Sequence, residues 1–430
     1  MKYVKITPGK LKGEVTIPPS KSLSHRAVIA AGLSEGESTV ENIIFSEDII
    51  ATCNALEALG VKIKKEEQSD KTTTLTIEGN TRLVIEGDTI NCNESGSTIR
   101  FFIPIAIANG NKVTFNGKGK LVTRPLKEYY DIFDEKGIKY STNKGQLPLM
   151  IDGKLTAGTY KMAGDVSSQF ISGLLFALPL IDGDSEIVIT KKLESRGYVD
   201  LTLDILNKFG INIINEAYNR FIIKGNQKYI KRNYRVEGDF SQVAFWLVAG
   251  ALGGDIVCHD LKEDSLQGDK VIVDIIKRMQ GNLITEDGKM TSTTAETVST
   301  IIDGSECPDI IPVLAVLAAL SEGTTEIVNA GRLRIKECDR LSAIASELKK
   351  LGADIEEKED GLIIKGKKEL IGGEVDSFND HRIAMALAVA AIRCKESVTI
   401  RDSGCIKKSY PTFWEHYKML GGKLDEWSVG

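Results

Sequence analysis

The chain has 430 residues, of which 42% are hydrophobic and 27% charged. This composition is typical of a globular protein with two or three domains and excludes a disordered or fibrous chain. Because the formal net charge is -5, the field of the whole molecule does not attract nucleic acid or an anionic membrane. The most apolar run, residues 310–320, is too short to span a bilayer, and the first residues lack a hydrophobic signal core. We therefore expect a cytoplasmic protein.

The cysteines and histidines indicate neither a disulfide framework nor a metal centre. The seven cysteines are odd in number and form no Cys-x-x-Cys pair, which fits reduced thiols. The four histidines are too few and too scattered along the chain to suggest a metal cage. We therefore predict that the protein binds no metal.

The first distinctive stretch, residues 18–32, is a cluster of hydroxyls and cations that runs into an apolar helix. The two prolines at its start cannot extend that helix backwards. Lys21 and Arg26 then lie near the positive end of the helix dipole, where a cation loses roughly 0.3–1 kcal/mol. The pattern indicates an anion-binding site, although a capped helix with a solvated Lys and Arg would have the same sequence.

The same pattern recurs six times, with a period of roughly 70 residues. Each copy has a polar start, an apolar helix, a Gly-containing turn and a β-branched strand. The predicted apolar helices cover residues 22–33, 97–109, 168–181, 241–252, 309–320 and 380–394. The strands that follow them cover residues 38–40, 112–115, 186–189, 255–257, 325–328 and 397–400.

A second, one-sided helix follows each strand and ends at a glycine, as in residues 48–59, 200–209, 339–351 and 410–420. The repeat is therefore predicted to be a βαβαββ unit. The first helix is apolar nearly all round and should be buried, whereas the second should lie outside. Parallel buried helices would bring their N-termini to one face of each domain.

Six units divide most simply into two domains of three, with a boundary near residues 234–238. An open solenoid is the alternative arrangement of similar units. The all-round apolar helices favour two closed domains that face one another across a cleft.

Five motifs resemble those of the 5-enolpyruvylshikimate-3-phosphate synthases, a family of enolpyruvyl transferases, and they occur in that family's order and spacing. The resemblance covers essentially the whole chain. The motifs are PSKSLSHRA at 19–27, ESGSTIR at 94–100, GDVSSQF at 164–170, KECDRL at 336–341 and NDHRIAM at 379–385.

The resemblance implies an α/β fold of two domains, each with three βαβαββ units around buried parallel helices. One domain would span residues 20–234, and the other would combine residues 1–19 with 235–430. It also implies that the 5-hydroxyl of shikimate 3-phosphate adds to C2 of phosphoenolpyruvate and that phosphate then leaves. No metal or organic cofactor would take part. We expect a monomer that closes on its substrates and binds neither nucleic acid nor membranes.

The resemblance also assigns residues to the two substrates. Both carry phosphate and carboxylate groups, which charge-assisted hydrogen bonds from Arg and Lys would neutralise. Shikimate 3-phosphate would be held by Lys21, Ser22, Arg26, Ser167, Ser168, Gln169, Ser195, Tyr198, Asp309 and Lys336. Phosphoenolpyruvate would be held by Lys21, Gly96, Arg124, Gln169, Arg340, Arg382 and Lys408. Without the resemblance, Arg124 and Lys408 would be interpreted as exposed charges.

The reaction needs one group to remove the hydroxyl proton and one to protonate the methylene carbon. The resemblance makes Asp309 the base, Glu337 a partner in proton transfer and Lys21 a candidate acid. At the start of an apolar helix, Asp309 could instead be only an N-cap. We expect His381 to be a structural donor beside Asp380.

Four further positions are left outside the expected site. We expect Arg100 and Arg196 to be scaffold charges. Arg332 and Glu94 depart from the family pattern, since each stands where an Asn is common, so no contact is assigned to either.

The sequence disfavours two alternative functions. An enolpyruvyl transferase that acts on UDP-N-acetylglucosamine normally carries a Cys in the loop before its Arg, and residues 116–124 contain none. A non-catalytic clamp on nucleic acid would need a basic and aromatic stripe, which the acidic composition disfavours.

Overall fold

The computed structural model describes residues 1–85 and 87–429. Helices in these residues are α1 (Lys21–Gly32), α2 (Glu47–Ala58), α3 (Gly96–Ile107), α4 (Lys127–Lys136), α5 (Ser168–Ala177), α6 (Arg196–Lys208), α7 (Phe240–Gly253), α8 (Ile272–Arg278), α9 (Ile311–Ala319), α10 (Arg340–Lys350), α11 (His381–Ala390) and α12 (Phe413–Met419). None of the described helices is both long enough and apolar enough to cross a membrane.

The strands are short, and they alternate with the helices along most of the chain. They are β1 (Lys2–Thr7), β2 (Lys12–Thr16), β3 (Ser34–Ile43), β4 (Lys62–Glu67), β5 (Thr73–Gly79), β6 (Thr89–Asn91), β7 (Lys112–Asn116), β8 (Lys139–Asn143), β9 (Gln146–Asp152), β10 (Gly158–Met162), β11 (Ser185–Ile189), β12 (Ile213–Glu216), β13 (Arg220–Ile223), β14 (Tyr229–Ile230), β15 (Asn233–Arg235), β16 (Asp255–His259), β17 (Asn282–Glu286), β18 (Lys289–Thr293), β19 (Ile301–Asp303), β20 (Thr324–Val328), β21 (Asp354–Glu357), β22 (Leu362–Lys365), β23 (Gly373–Asp376), β24 (Val398–Arg401) and β25 (Lys423–Ser428).

The chain divides into two compact units. The central unit comprises residues 21–236, and the terminal unit comprises residues 1–20 and 237–430. Each unit has its own continuous hydrophobic core. The central unit contains the sheets β14-β3-β5-β4, β6-β7-β9-β8 and β10-β11-β13-β12, and the terminal unit contains β2-β16-β18-β17, β19-β20-β22-β21 and β23-β24-β1-β25.

Every sheet has the pairing that a βαβαββ unit requires. In the second sheet of the central unit, β6 pairs parallel with β7, while β9 pairs antiparallel with β7 and β8. The parallel pair needs a crossover, and the buried helix α3 supplies it. The mixed α/β architecture expected from the repeat is therefore confirmed.

Among the described residues, three of the six sheets include a strand from a distant part of the chain, a pairing that the repeat alone does not predict. β15 pairs parallel with β3, and β2 pairs parallel with β16. β1 lies between β24 and β25, antiparallel to both. These strands are short or partly exposed, so their sequences carry little information about which strand they join.

The two kinds of helix differ in burial as expected. Nearly every residue of α1, α3, α5, α7, α9 and α11 is buried. By contrast, α2, α4, α6, α8, α10 and α12 bury one side only. At Gly173 in α5, an added Cβ would lie 2.3 Å from the Arg100 carbonyl of α3, so these two helices approach closely because glycine is there.

Helix boundaries depart from prediction where proline or a turn intervenes. α5 ends at Ala177, before a 3-10 turn at Leu178–Leu180 that contains Pro179, rather than continuing to residue 181. Proline has no N–H to donate, which favours this break. α6 begins at Arg196, four residues before its predicted start at residue 200.

Candidate active site

In the central unit, the buried helices present polar side chains at their first turns. Lys21, the first residue of α1, forms an ion pair with Asp48 of α2, with 2.8 Å between Nζ and Oδ2. Their side chains are only 15% and 11% exposed, so water and salt screen this pair less than they would screen a surface pair. Lys21 belongs to one of the five motifs, whereas Asp48 lies 27 residues away and outside all of them.

Arg26 ties the start of α6 to α1. Its Nε donates to the Thr202 hydroxyl at 2.8 Å and its Nη2 to the Tyr198 carbonyl at 2.9 Å, while Nη1 donates to the Ser22 carbonyl at 2.7 Å. Burial lowers the pKa of Arg26 to about 10. The contacts fix the turn that contains Ser195, a buried residue in the left-handed conformation with φ of 54°.

The Gln169 amide is held in one orientation by residues of α3. Arg100 Nη1 donates to Gln169 Oε1 at 2.7 Å, and Gln169 Nε2 donates to the Ser97 hydroxyl at 2.9 Å. Ser167 caps α5 by accepting from the Gln169 N–H, and Ser168 is the buried first residue of that helix. Arg100 therefore does more than the scaffold role expected from sequence, since it sets the direction of the Gln169 donors.

Arg124 lies directly against Gly96, the first residue of α3. A Cβ added to Gly96 would meet Arg124 Cζ at 2.8 Å. Ser95 caps the helix by accepting from the Thr98 N–H at 3.2 Å. The guanidinium thus packs on a helix N-terminus, an arrangement that would attract an anion to both. Arg124 is half-buried rather than fully exposed.

Buried hydroxyls connect three helices of the central unit. His25 Nδ1 lies 2.7 Å from Thr52 Oγ1, which lies 2.8 Å from Thr98 Oγ1, and Thr98 donates to Ser95 Oγ at 2.7 Å. Burial and the charges of Lys21 and Arg26 lower the pKa of His25 well below its usual value. The network is therefore uncharged at neutral pH, and it sets the relative positions of α1, α2 and α3.

In the terminal unit, Asp309 lies among three cations. Its carboxylate is 2.9 Å from Arg340 Nη1, 3.5 Å from Lys336 Nζ and 3.5 Å from Arg382 Nη2. The interpretation of Asp309 as an N-cap is wrong, because α9 begins at Ile311 and Ile310 occupies the cap position. The side chain is 21% exposed, so solvent or a ligand can reach it.

Arg340 joins several acids in the interior. Its Nε donates to Asp380 Oδ2 at 2.7 Å, and Asp380 caps α11 by accepting from the Arg382 N–H at 2.8 Å. Burial by itself would lower the pKa of Arg340, but Asp380, Asp309 and Glu337 outweigh it and raise the pKa well above its usual value. Arg340 therefore keeps its charge while only 3% of its side chain is exposed.

The Glu337 carboxylate lies close to His381, Lys408 and Arg340. Its Oε2 is 3.1 Å from His381 Nδ1 and 4.0 Å from Lys408 Nζ, and its Oε1 is 3.8 Å from Arg340. The side-chain ligand atoms of Glu337, Asp380 and His381 lie within 4.8 Å of one another, as in a metal site. Because Arg340 and Lys408 neutralise these carboxylates, the local charge disfavours a bound cation.

Lys408 is buried rather than an exposed charge, so the interpretation of it as a solvated surface residue is wrong. Its ammonium group donates to the Asn379 carbonyl at 2.8 Å. Asn379 and the preceding Phe378 both have positive φ, at 54° and 52°. This turn leads directly into the Asp380 cap, so Lys408 and Arg382 are positioned by the same segment.

The chain is similar in sequence and in fold to known proteins. Residues 6–417 match the sequence model of a family described as EPSP synthase (3-phosphoshikimate 1-carboxyvinyltransferase). The chain belongs to the EPSP synthase family. It is 56% identical to the 3-phosphoshikimate 1-carboxyvinyltransferase of Clostridium novyi and 58% identical to that of Clostridium beijerinckii, each over 100% of both chains. A solved EPSP synthase from Acinetobacter baumannii has a TM-score of 0.83 and 27% identity, with 100% of both chains covered.

Glu94 and Arg332, the two residues expected to depart from the family pattern, lie beside or within 3-10 turns. The Glu94 carboxylate packs on Gly119, where an added Cβ would lie 2.6 Å from Glu94 Cδ. Gly119 begins the 3-10 turn Gly119–Thr123 that leads into Arg124. Glu94 thus supports the segment that carries Arg124. Arg332 lies in the 3-10 turn Gly331–Ile335, and this turn ends directly before Lys336.

Asp269 is a buried carboxyl group of the terminal unit that the sequence analysis missed. It lies in the 3-10 turn Gly268–Val271 and accepts a hydrogen bond from the Ser241 hydroxyl. Burial and the negative charge of Asp309 raise the pKa of Asp269 to about 7, although the Ser241 bond and Arg382 oppose the shift. The repeat could have indicated this residue, since equivalent turns precede Arg124 and contain Lys408.

The raised pKa of Asp269 predicts a pH-dependent stability difference. In the unfolded chain the pKa is about 3.9. The native state therefore binds this proton more tightly, and the stability that Asp269 contributes at low pH is lost as the pH rises through about 7. Asp269→Asn removes that loss. Between pH 5 and pH 8, we expect the free energy of unfolding of the variant to rise, relative to that of the parent protein, by on the order of 1–3 kcal/mol.

Urea unfolding of both proteins at the two pH values measures this gain. The matched control is Glu347→Gln, because Glu347 is a buried carboxylate paired with Lys350. A free-energy difference between Asp269→Asn and the parent that is equal at pH 5 and pH 8 would contradict the prediction.

Proposed function

We propose that the protein transfers the enolpyruvyl group of phosphoenolpyruvate to the 5-hydroxyl of shikimate 3-phosphate and releases phosphate. The reaction is a step of aromatic amino acid biosynthesis in the shikimate pathway and uses no metal or organic cofactor. The observation that carries the proposal is the Asp309 carboxylate within 3.5 Å of Arg340, Lys336 and Arg382 in a chain of the EPSP synthase family. The three cations would attract anionic substrates to the carboxylate that accepts the proton.

We assign the substrate contacts as the resemblance implies. Shikimate 3-phosphate is bound by Lys21, Ser22, Arg26, Ser167, Ser168, Gln169, Ser195, Tyr198, Asp309 and Lys336. Phosphoenolpyruvate is bound by Lys21, Gly96, Arg124, Gln169, Arg340, Arg382 and Lys408. In each unit, hydrogen bonds hold side chains of these residues near helix N-termini, where backbone amides, cations and hydroxyls lie close together. This arrangement supports the assignments.

The addition step moves one proton off the substrate and one onto carbon. Asp309 removes the proton of the 5-hydroxyl as its oxygen bonds to C2 of phosphoenolpyruvate. A proton is delivered to the C3 methylene, and Lys21 is the candidate donor. The elimination step takes a proton from the resulting methyl group, and the C–O bond to phosphate breaks to give the enol ether. Glu337, which contacts His381 and Lys408, is the proposed partner in proton transfer.

We also propose that the protein acts as a monomer in the cytoplasm and that it binds neither nucleic acid nor membranes. The formal net charge of -5 supports the part of this proposal that concerns nucleic acid and membranes, since no excess of positive charge is available to attract polyanions. An enolpyruvyl transferase acting on UDP-N-acetylglucosamine is disfavoured because residues 116–124 contain no Cys.

The proposal is tested by phosphate release from phosphoenolpyruvate with each acceptor. We expect phosphate to form with shikimate 3-phosphate and not with UDP-N-acetylglucosamine or with phosphoenolpyruvate alone. Mass spectrometry should detect the enol ether product in the same amount as phosphate. Phosphate release with UDP-N-acetylglucosamine and none with shikimate 3-phosphate would overturn the proposal.

A further inference from the structure

We propose that Asp269 is a positioning residue for phosphoenolpyruvate. It holds Arg382 through Ser241, and its negative charge, when present, weakens the binding of an anion by Arg382. This inference rests on the proposed function, because it assigns Arg382 to phosphoenolpyruvate. Asp269 itself does not contact the substrate.

A short chain of contacts joins Asp269 to Asp309. The Ser241 hydroxyl donates to Asp269 Oδ2, and the Ser241 carbonyl accepts from Arg382 Nη1 at 3.2 Å. Arg382 Nη2 lies 3.5 Å from Asp309 Oδ2. The side chains of Asp269 and Arg382 are almost fully buried, at 2% exposure for each residue. Asp269 and Arg382 therefore contact the same residue, the carboxylate through the Ser241 hydroxyl and the guanidinium through the Ser241 backbone carbonyl.

The turn that carries Asp269 is fixed to the start of α7. Gln267 Nε2 donates to the Gly238 carbonyl and to Glu237 Oε1, both at 2.8 Å, and Gln267 Oε1 accepts from the Phe240 N–H at 3.0 Å. These bonds hold the segment before Asp269 in place. Asp269 therefore holds Ser241 from a rigid support rather than from a loose loop.

The position of Asp269 in the repeat also indicates a role in the site. In three other units, the turn between the second strand and the outer helix precedes or contains a cation of the proposed site: Arg124, Lys336 and Lys408. The turn Gly268–Val271 lies at the same place between β16 and α8, and it carries a carboxyl group instead. The repeat thus places an acid where three other units place a cation that would bind an anion.

The charged and titratable groups that act on Asp269 come from several elements. They are Asp239 at the cap of α7, Asp309 before α9, Arg382 of α11 and the Cys307 thiol. Burial and Asp309 raise the pKa of Asp269 to about 7. Asp269 therefore loses its proton near neutral pH, and the new negative charge competes with an anionic substrate for Arg382.

The test compares KM for phosphoenolpyruvate in Asp269→Asn, Asp269→Ala and the parent protein at pH 6 and pH 8.5. Asn keeps an oxygen that accepts from Ser241 but carries no charge. We expect the ratio of the KM of Asp269→Asn to that of the parent to fall about tenfold between the two pH values, the effect of one pKa unit of coupling. Asp269→Ala, which loses both the charge and the Ser241 contact, should have a higher KM for phosphoenolpyruvate than Asp269→Asn at both pH values.

Three further measurements make the result decisive. Glu347→Gln is the control for loss of a buried carboxylate and should show one KM ratio at both pH values. Ser241→Ala removes the hydroxyl bond to Asp269 without changing the formal charge. It should raise KM for phosphoenolpyruvate more than KM for shikimate 3-phosphate. A pH-independent ratio for Asp269→Asn, or an unchanged KM in Ser241→Ala, overturns the inference. A parent protein that releases no phosphate overturns the proposed function instead.

Discussion

Asp309→Asn is expected to lower kcat for phosphate release by about 10²- to 10⁴-fold, the usual contribution of a positioned general base. The substitution keeps the size of the side chain and removes its ability to accept a proton. Arg340, Lys336 and Arg382 would remain in place, because Arg340 keeps its bond to Asp380 and Arg382 its bond to Ser241. We therefore expect shikimate 3-phosphate to bind the variant, and calorimetric titration measures this separately from turnover.

Asp303→Asn is the matched control, since Asp303 lies in the same segment and its carboxylate accepts from the Ser305 N–H and Asn329. It should keep kcat close to that of the parent protein. If Asp309→Asn turned over at the parent rate, Asp309 would be removed from the proton-transfer step. A loss of shikimate 3-phosphate binding in the variant would instead give Asp309 a binding role only.

The buried helices could be predicted from sequence because their composition leaves no alternative. α9 is apolar on every side, and so is α11 after its first two residues, so only a position within the core satisfies them. The partner strands could not be predicted in the same way. β1 and β2 pair with strands more than two hundred residues away, and period-2 alternation identifies a strand but not its neighbour.

The candidate site shows the same division between local and distant information. The motifs identify Lys21, Arg340 and Arg382 because each lies beside the start of a helix in a recognisable stretch. Asp48, the partner of Lys21, was missed, and Arg100 was named only as a scaffold charge and not as the partner of Gln169. These contacts form only when folding brings α2 to α1 and α3 to α5. Arg124 and Lys408 came from the family resemblance, since an isolated cation after a strand has the same sequence as a solvated surface charge.

Gly96→Ala is expected to raise KM for phosphoenolpyruvate by about 10- to 100-fold, which corresponds to the loss of one charge-assisted hydrogen bond. The added Cβ would meet Arg124 Cζ at 2.8 Å, closer than carbon atoms approach without displacement. Gly96 lies in a regular helix and is not among the glycines with positive φ, so backbone strain does not contribute. KM for shikimate 3-phosphate should change much less.

Gly9→Ala is the control, because an added Cβ there meets nothing within 4 Å. A double-mutant cycle with Arg124→Lys separates the contact from other effects of the methyl group. If Gly96→Ala acts by displacing the guanidinium, it should cost little more once Arg124 is already Lys, so the two effects on KM will be far from additive. Full additivity would mean that the methyl group impairs binding by itself, through contact with the substrate rather than through Arg124.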